Sequence, residues 1–177
     1  MCNFLSAIVL QNGDILCDPE HTDSHEDLIA AHGLDNIDDA HVLRFARVEF
    51  RPGLPIDDPS NYTLWIDEAI SPVWLDDSMR SRVEEDLRIR VSRMIVRDKR
   101  RTLLGGCWVL GNGASVRWVV GGRIVAMCGN ASIRGVRGHA SISDVRDHAS
   151  ISDVWGSVSI RGVRGNASIS GDRRNSK

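Results

Sequence analysis

From Gly129 to Arg173 the apolar positions recur every nine residues. Five copies follow one another: GNASIRGVR (129–137), GHASISDVR (138–146), DHASISDVW (147–155), GSVSIRGVR (156–164) and GNASISGDR (165–173). Position three is Ala131, Ala140, Ala149, Val158 and Ala167. Position five is isoleucine throughout: Ile133, Ile142, Ile151, Ile160 and Ile169. Position eight is Val136, Val145, Val154 and Val163, then Asp172. A serine stands between positions three and five in every copy. Apolar–Ser–apolar is the alternation of a short strand with its serine outward. Glycine at position one, or Gly/Asp at position seven, supplies the bend. A nine-residue period drifts around a 3.6-residue helix, so no helix fits. One strand per unit at a fixed period predicts a parallel β-solenoid.

Nine residues are too few to enclose side chains in a full coil. Each copy therefore reads as half of an 18-residue, two-sided coil. Copies one, three and five are expected on one face, and two and four on the other. His139 and His148 then face opposite ways, which argues against a metal pair. Asp172 interrupts the apolar column in the last copy, and the segment 173–177 is polar. An unpaired last rung predicts self-association into a homo-oligomer. Before the five copies, NGASVRWVV (112–120) keeps Ala114, Val116 and Val119 in the apolar positions, and GGRIVAMC (121–128) is one residue short. The solenoid is accordingly expected to grow from about residue 105.

The N-terminal pattern differs. Phe4–Leu10 is β-rich, Asn12-Gly13 is a hairpin signal, and Asp14–Asp18 is the expected return strand. Asp23 or Ser24 can cap a helix stopped by Gly33, with Leu28, Ile29 and Ala31 or His32 inward. His41–Phe50 reads as a strand. The next strand is Tyr62–Glu68, with Tyr62, Leu64 and Ile66 on one face. Between them lies a loop marked by Pro52, Pro55 and Pro59. Asp76-Asp77-Ser78 precedes a helix over about Met79–Arg97, with Met79, Val83, Leu87, Val91 and Met94/Ile95 in a stripe. The predicted fold is an α+β N-terminal domain (ββαββα) over 1–101, acting as a cap or interaction module. A parallel β-solenoid of nonapeptide half-coils with a short polar tail follows over 102–177.

Charge divides the chain of 177 residues unevenly. Residues 1–74 hold 14 acidic and 3 basic residues, a net of −11, whereas 75–177 hold 10 acidic and 19 basic, a net of +9. That asymmetry suits attraction between domains or subunits, or an anionic partner for the basic half. The four cysteines, Cys2, Cys17, Cys107 and Cys128, show no CxxC spacing and read as free thiols of a cytoplasmic protein. No basic start precedes an apolar run, and no apolar stretch has the length of a membrane span, so no membrane partner is expected.

Four groups are candidates for chemistry. Cys2, exposed by removal of Met1, is a candidate N-terminal nucleophile whose own α-amine acts as base; the ordinary alternative is a buried strand cysteine. Cys17, His21, His25, His32 and His41 include metal-ligand types but match no strong zinc spacing, and serve equally as surface and cap residues. Asp57, Asp58, Asp67, Glu68, Asp76 and Asp77 pair carboxylates, mostly where loops and a helix start also use them. Arg134, Arg137, Arg146, Trp155, Arg161 and Arg164 form a guanidinium ladder around an indole, suited to phosphate or acidic protein surfaces. Asp144, Asp147 and Asp153 interrupt it, and the alternative is a solvated face. The calcium-binding nonapeptide shares the period but needs Asp at position six, where this chain has Arg134, Ser143, Ser152, Arg161 and Ser170. A flat serine array also suits ice binding, a minor reading. No pattern calls for a cofactor.

The segments MCNFLSAIV, HEDLIAAHGL, RFARVEF and LLGGCWVLG, with the short C-terminal repeats, resemble bacterial and phage-type proteins that join a Met-Cys-starting domain to β-forming repeats. The resemblance implies an accessory role in a phage or mobile element and carries over no site residue. The sequence therefore predicts a non-enzymatic interaction or assembly protein that presents a solenoid surface to a host protein or anionic ligand. The alternatives are a small hydrolase using Cys2 and binding of nucleic acid or nucleotide by the solenoid arginines.

Overall fold

The structure is a computed structural model that describes residues 5–34, 44–69 and 71–173. The chain divides into two units: residues 1–54 with 58–92, and residues 55–57 with 93–177.

The first unit is built on a four-stranded antiparallel sheet in the order β2-β1-β3-β4, with β1 Leu5–Leu10, β2 Ile15–Leu16, β3 Phe45–Arg51 and β4 Thr63–Ile66. Gly13, at φ 89°, sits in the β1–β2 turn, a conformation that glycine adopts without strain. The return strand is shorter than the Asp14–Asp18 expected. β1 does not alternate in burial: Leu5 to Val9 are all buried. An interior strand covered on both faces loses the apolar/polar alternation of a half-exposed one.

α1 (His25–Ala31) covers one face, where Leu28 and Ile29 pack with Ile8 and Phe45. Ser24 is its N-cap, accepting from the Asp27 amide. His25, Leu28 and Ile29 are its buried side chains, whereas Ala31 and His32 are exposed. The sequence expectation was wrong at that last turn, because the helix ends at Ala31 and His32 is the C-cap. α2 (Asp77–Met94) buries Val83, Leu87 and Val91 completely, and its Arg88 guanidinium lies 5.9 Å from the centre of the Phe50 ring. Asp76 accepts the Met79 amide at the helix start. The helix stops short of the predicted Arg97, because Ile95 and Val96 already belong to a strand.

The second unit is a β-solenoid made of two parallel five-stranded sheets. One holds β5 (Ile95–Val96), β7 (Cys107–Leu110), β9 (Arg123–Met127), β11 (Ser141–Ile142) and β13 (Ser159–Ile160). The other holds β6 (Lys99–Leu104), β8 (Ser115–Val120), β10 (Ser132–Arg137), β12 (Ser150–Val154) and β14 (Ser168–Ile169). The chain alternates between sheets, so copies one, three and five lie in the second sheet and two and four in the first. Ser132 pairs with Ser150 and Ser150 with Ser168; Ser141 pairs with Ser159. The columns Val116–Ile133–Ile151 and Val119–Val136–Val154 point inward and are fully buried together with Ala131, Ala140 and Ala149.

The solenoid begins at Ile95 rather than near residue 105. Its first coils are shorter than the later ones. The step between paired residues is eighteen from Ser132 to Ser150, seventeen from Ser115 to Ser132 and sixteen from Lys99 to Ser115. The first rung also carries Lys99, Arg100 and Arg101, all exposed, so only Leu103 marks its inward side. Terminal repeats of a solenoid commonly depart from the repeat in this way.

The turns at one corner are tied from rung to rung by side chains. Asp57 Oδ2 accepts the Asn112 amide at 3.0 Å, Asn112 Oδ1 accepts the Asn130 amide at 3.0 Å, and Asp147 Oδ2 accepts the Gly129 amide at 2.8 Å. Asp147 has φ 61°, the position one that holds glycine in the other four copies.

Candidate anion-binding face

The outer surface of the second solenoid sheet gathers cations, hydroxyls and indoles from separate rungs. In β8, Val116 and Val119 point inward, with Arg117 exposed and Trp118 half-buried between them. The same step in β10 leaves Arg134 exposed. Arg100 pairs with Val116 and Thr102 with Trp118, which sets Arg101 beside Arg117. Ile133 pairs with Val116, which sets Arg134 on the other side of Arg117. Three arginines therefore stack on consecutive rungs, about 4.8 Å apart at the backbone. Ser152 and Ser170 continue the column through copies three and five.

Lys99, Ser115, Ser132 and Ser150 form a parallel column. The Ser132 hydroxyl donates to Ser115 Oγ at 3.3 Å. A groove of about 350 Å3 is lined by Lys99, Ser115 and Ser132 of the serine column, by Arg117, Arg134 and Ser152 of the arginine column, and by Arg100, while Arg101 lies outside its lining. Among the described residues, no carboxylate lies within ion-pair distance of Arg101, Arg117 or Arg134. Stacked like charges at this spacing repel by about 0.5–1 kcal/mol per adjacent pair even at the dielectric of water. An anion laid along the ladder removes that repulsion.

Beside the ladder lies an aromatic pair. Trp118 pairs with Gly135, whose missing side chain leaves room for the indole. A Cβ at Gly135 would fall 2.2 Å from Trp118 Cζ3 and 3.0 Å from Trp155 Cζ3. The Trp118 and Trp155 rings have centroids 5.7 Å apart and are tilted by 35°. The Arg137 guanidinium lies 5.5 Å from the Trp118 ring centre, within cation–π range.

The six residues singled out from the sequence are thus divided. Arg134, Arg137 and Trp155 belong to this face. Arg146 and Arg164 follow strands of the other sheet, where both pair with Asp144: Arg146 Nη2 at 2.5 Å and Arg164 Nε at 3.0 Å from its two oxygens. Their charge is partly neutralised within the fold, and Arg146 Nε is buried without a hydrogen-bond partner. Arg161, just after β13, is exposed and donates its backbone amide to Ile142 O. Sequence reasoning missed Arg101, Arg117, Trp118 and Lys99. The degenerate copy NGASVRWVV carried the signal for two of them, since Arg117 occupies the position-six slot that Arg134 fills.

Cys2 and His41 lie outside the described residues. Burial pushes the Cys17 thiol upward, against the Arg90 guanidinium that donates to its sulfur at 3.1 Å. Burial, with the nearby carboxylates Asp57 and Asp147, pushes Cys128 up to about 11. Neither is an activated thiolate. His25 is buried, with Nε2 2.9 Å from Val48 O and Nδ1 3.4 Å from Asp67. His21 sits on the surface with Asp18, which raises its pKa through a hydrogen bond. Among the described residues, no group of three or more His, Cys, Asp or Glu is arranged to hold a metal. The acidic candidates are engaged locally: Asp58 accepts the Ser60 amide, Glu68 pairs with Arg47, and Asp76 caps α2.

Among the described residues no helix is long and apolar enough to cross a membrane. Comparison of the chain with family models, curated proteins and solved structures gave no match.

Proposed function

We propose that this is a non-enzymatic interaction protein whose solenoid presents the Arg101–Arg117–Arg134 face to an anionic ligand. The observation that carries the reading is the ladder itself: three exposed arginines on consecutive rungs with no carboxylate partner among the described residues. The contrast with Arg146 and Arg164 supports it, because the fold supplies Asp144 to those two and nothing comparable to the ladder. A parallel sheet holds the cations at fixed spacing, so little ordering is needed when a ligand binds.

The complete N-terminal topology is taken as ββαββα, supported by the order of its described elements. The accessory role in a phage or mobile element rests on the resemblance of the N-terminal segments.

Chromatography on an immobilised sulfated polymer tests the binding reading. Arg117→Ser with Arg134→Ser copies the residues that copies three and five carry in this column, so the variant suits the fold. The wild-type protein is expected to be retained and the double variant to elute at clearly lower salt. Arg146→Ser with Arg164→Ser is expected to elute close to the wild type. Wild-type protein that passes unretained at low salt overturns the proposal.

A further inference from the structure

We infer that the ligand of this face is a single-stranded polynucleotide, laid across the rungs with its phosphates on the arginine ladder and a base against the Trp118–Trp155 pair. The inference rests on the anion-binding reading above and deepens it. Arginines alone do not distinguish a phosphodiester from a sulfated sugar or a carboxylate-rich peptide. The indoles do. Trp118 and Trp155 come from rungs on either side of Gly135, and both lie over that glycine. Trp118 is directly adjacent to the arginine column: Arg117 and Trp118 are neighbours in the chain, both on the outer side of β8.

A polyphosphate has no apolar group to set against an indole, and a sulfated sugar has only a puckered C–H face crowded by its sulfates, not a flat aromatic ring. A nucleobase is such a ring, at one per phosphate, and stacking tolerates any base. The base must be unstacked from its own neighbours, which selects a single strand over a duplex. Arg137 now rests over the Trp118 ring at 5.5 Å. Moved to a phosphate, it frees that ring and adds a cation to the ladder. The serine column gives the other wall of the groove hydroxyl donors for phosphate or sugar oxygens.

The test uses the full chain and three probes of equal length: an oligothymidylate, the same backbone without bases, and linear polyphosphate. Binding is read by anisotropy of labelled probes, by competition, and by the protein's tryptophan fluorescence. The oligothymidylate is expected to bind at least about tenfold more tightly than the abasic strand, because stacking strengthens binding at each base. It is also expected to quench tryptophan emission, which the abasic strand does not. The logarithm of its binding constant should fall with the logarithm of salt with a slope of about −3.5 if Lys99, Arg101, Arg117, Arg134 and Arg137 all meet phosphates. For Arg117→Ser/Arg134→Ser the slope should shrink to about −2. Equal binding of all three probes without quenching overturns the polynucleotide inference and leaves the anion-binding reading standing. Failure of every probe to bind overturns both.

Discussion

Asp147 offers the sharpest test of how the solenoid turns are held. Four copies place glycine at position one, and the third places Asp147, which adopts the same left-handed backbone at φ 61°. That conformation costs an L-residue roughly 1–2 kcal/mol, less for Asp or Asn than for others. The carboxylate gives something back, accepting the Gly129 amide at 2.8 Å from the preceding rung. The site is exposed, so the bond belongs at the low end of the range for charged acceptors, about 1–1.5 kcal/mol. Asp147→Ala keeps the strain and loses the bond, and should destabilise the solenoid by about 1.5–2 kcal/mol. Asp147→Gly loses the bond, removes the strain and adds backbone freedom to the unfolded chain worth about 0.5–1 kcal/mol, leaving a net loss near 1 kcal/mol. Asp147→Asn keeps an acceptor and tolerates the backbone, so it should stay within about 0.5 kcal/mol of the wild type. Urea unfolding followed by far-ultraviolet circular dichroism reads all three. An Asp147→Gly protein more stable than the wild type would refute the reasoning, since the rung-to-rung bond would then contribute nothing.

Burial along the apolar column makes a second prediction. Ile151 is 1% exposed, whereas Ile169 in the last rung is only partly buried. Ile151→Ala should cost about 3 kcal/mol and Ile169→Ala about 1 kcal/mol in the same urea assay; equal losses would contradict an interior and a terminal rung of different packing. Cys128 makes a third. Its thiol titrates near 11 in the folded chain against an ordinary 9.0. Above pH 9 the unfolded chain releases this proton while the folded chain keeps it, so the stability contributed by Cys128 is whole below about 9 and declines toward 11. A thiol reagent at pH 8 should leave Cys128 unmodified in native protein and modify it after unfolding, as mass spectrometry of peptides will show; rapid native labelling contradicts the burial.

The five regular copies made the solenoid and its two-sided stacking legible, because an invariant Ile and an alternating Ser fix both strand and face. Legibility ended where the period did. The coils before Ser132 shorten to seventeen and then sixteen residues, and Lys-Arg-Arg at the first rung hides a strand in what reads as a charged junction. The pairing of Trp118 with Trp155 was out of reach for a related reason. The two residues occupy different positions of their copies, and only the rung between them, at Gly135, brings the rings together. The sequence did show that aspartates interrupt the arginines. It could not show that Asp144 engages two of them while the Arg134 column meets no carboxylate among the described residues. In the N-terminal unit, helix caps and the Asn-Gly turn were readable locally. On α1, Leu28 and Ile29 were readable as buried, but the last turn was not, since the helix ends at Ala31 and leaves Ala31 and His32 exposed.

The most direct measurement is hydrogen–deuterium exchange of the full chain with and without a saturating anionic polymer. The account predicts added protection over Lys99–Leu104, Ser115–Val120 and Ser132–Arg137, with little change over Ser141–Ile142 and Ser159–Ile160. Protection confined to the opposite sheet, or none at all with the polymer bound, contradicts the claim that the arginine ladder is the binding face.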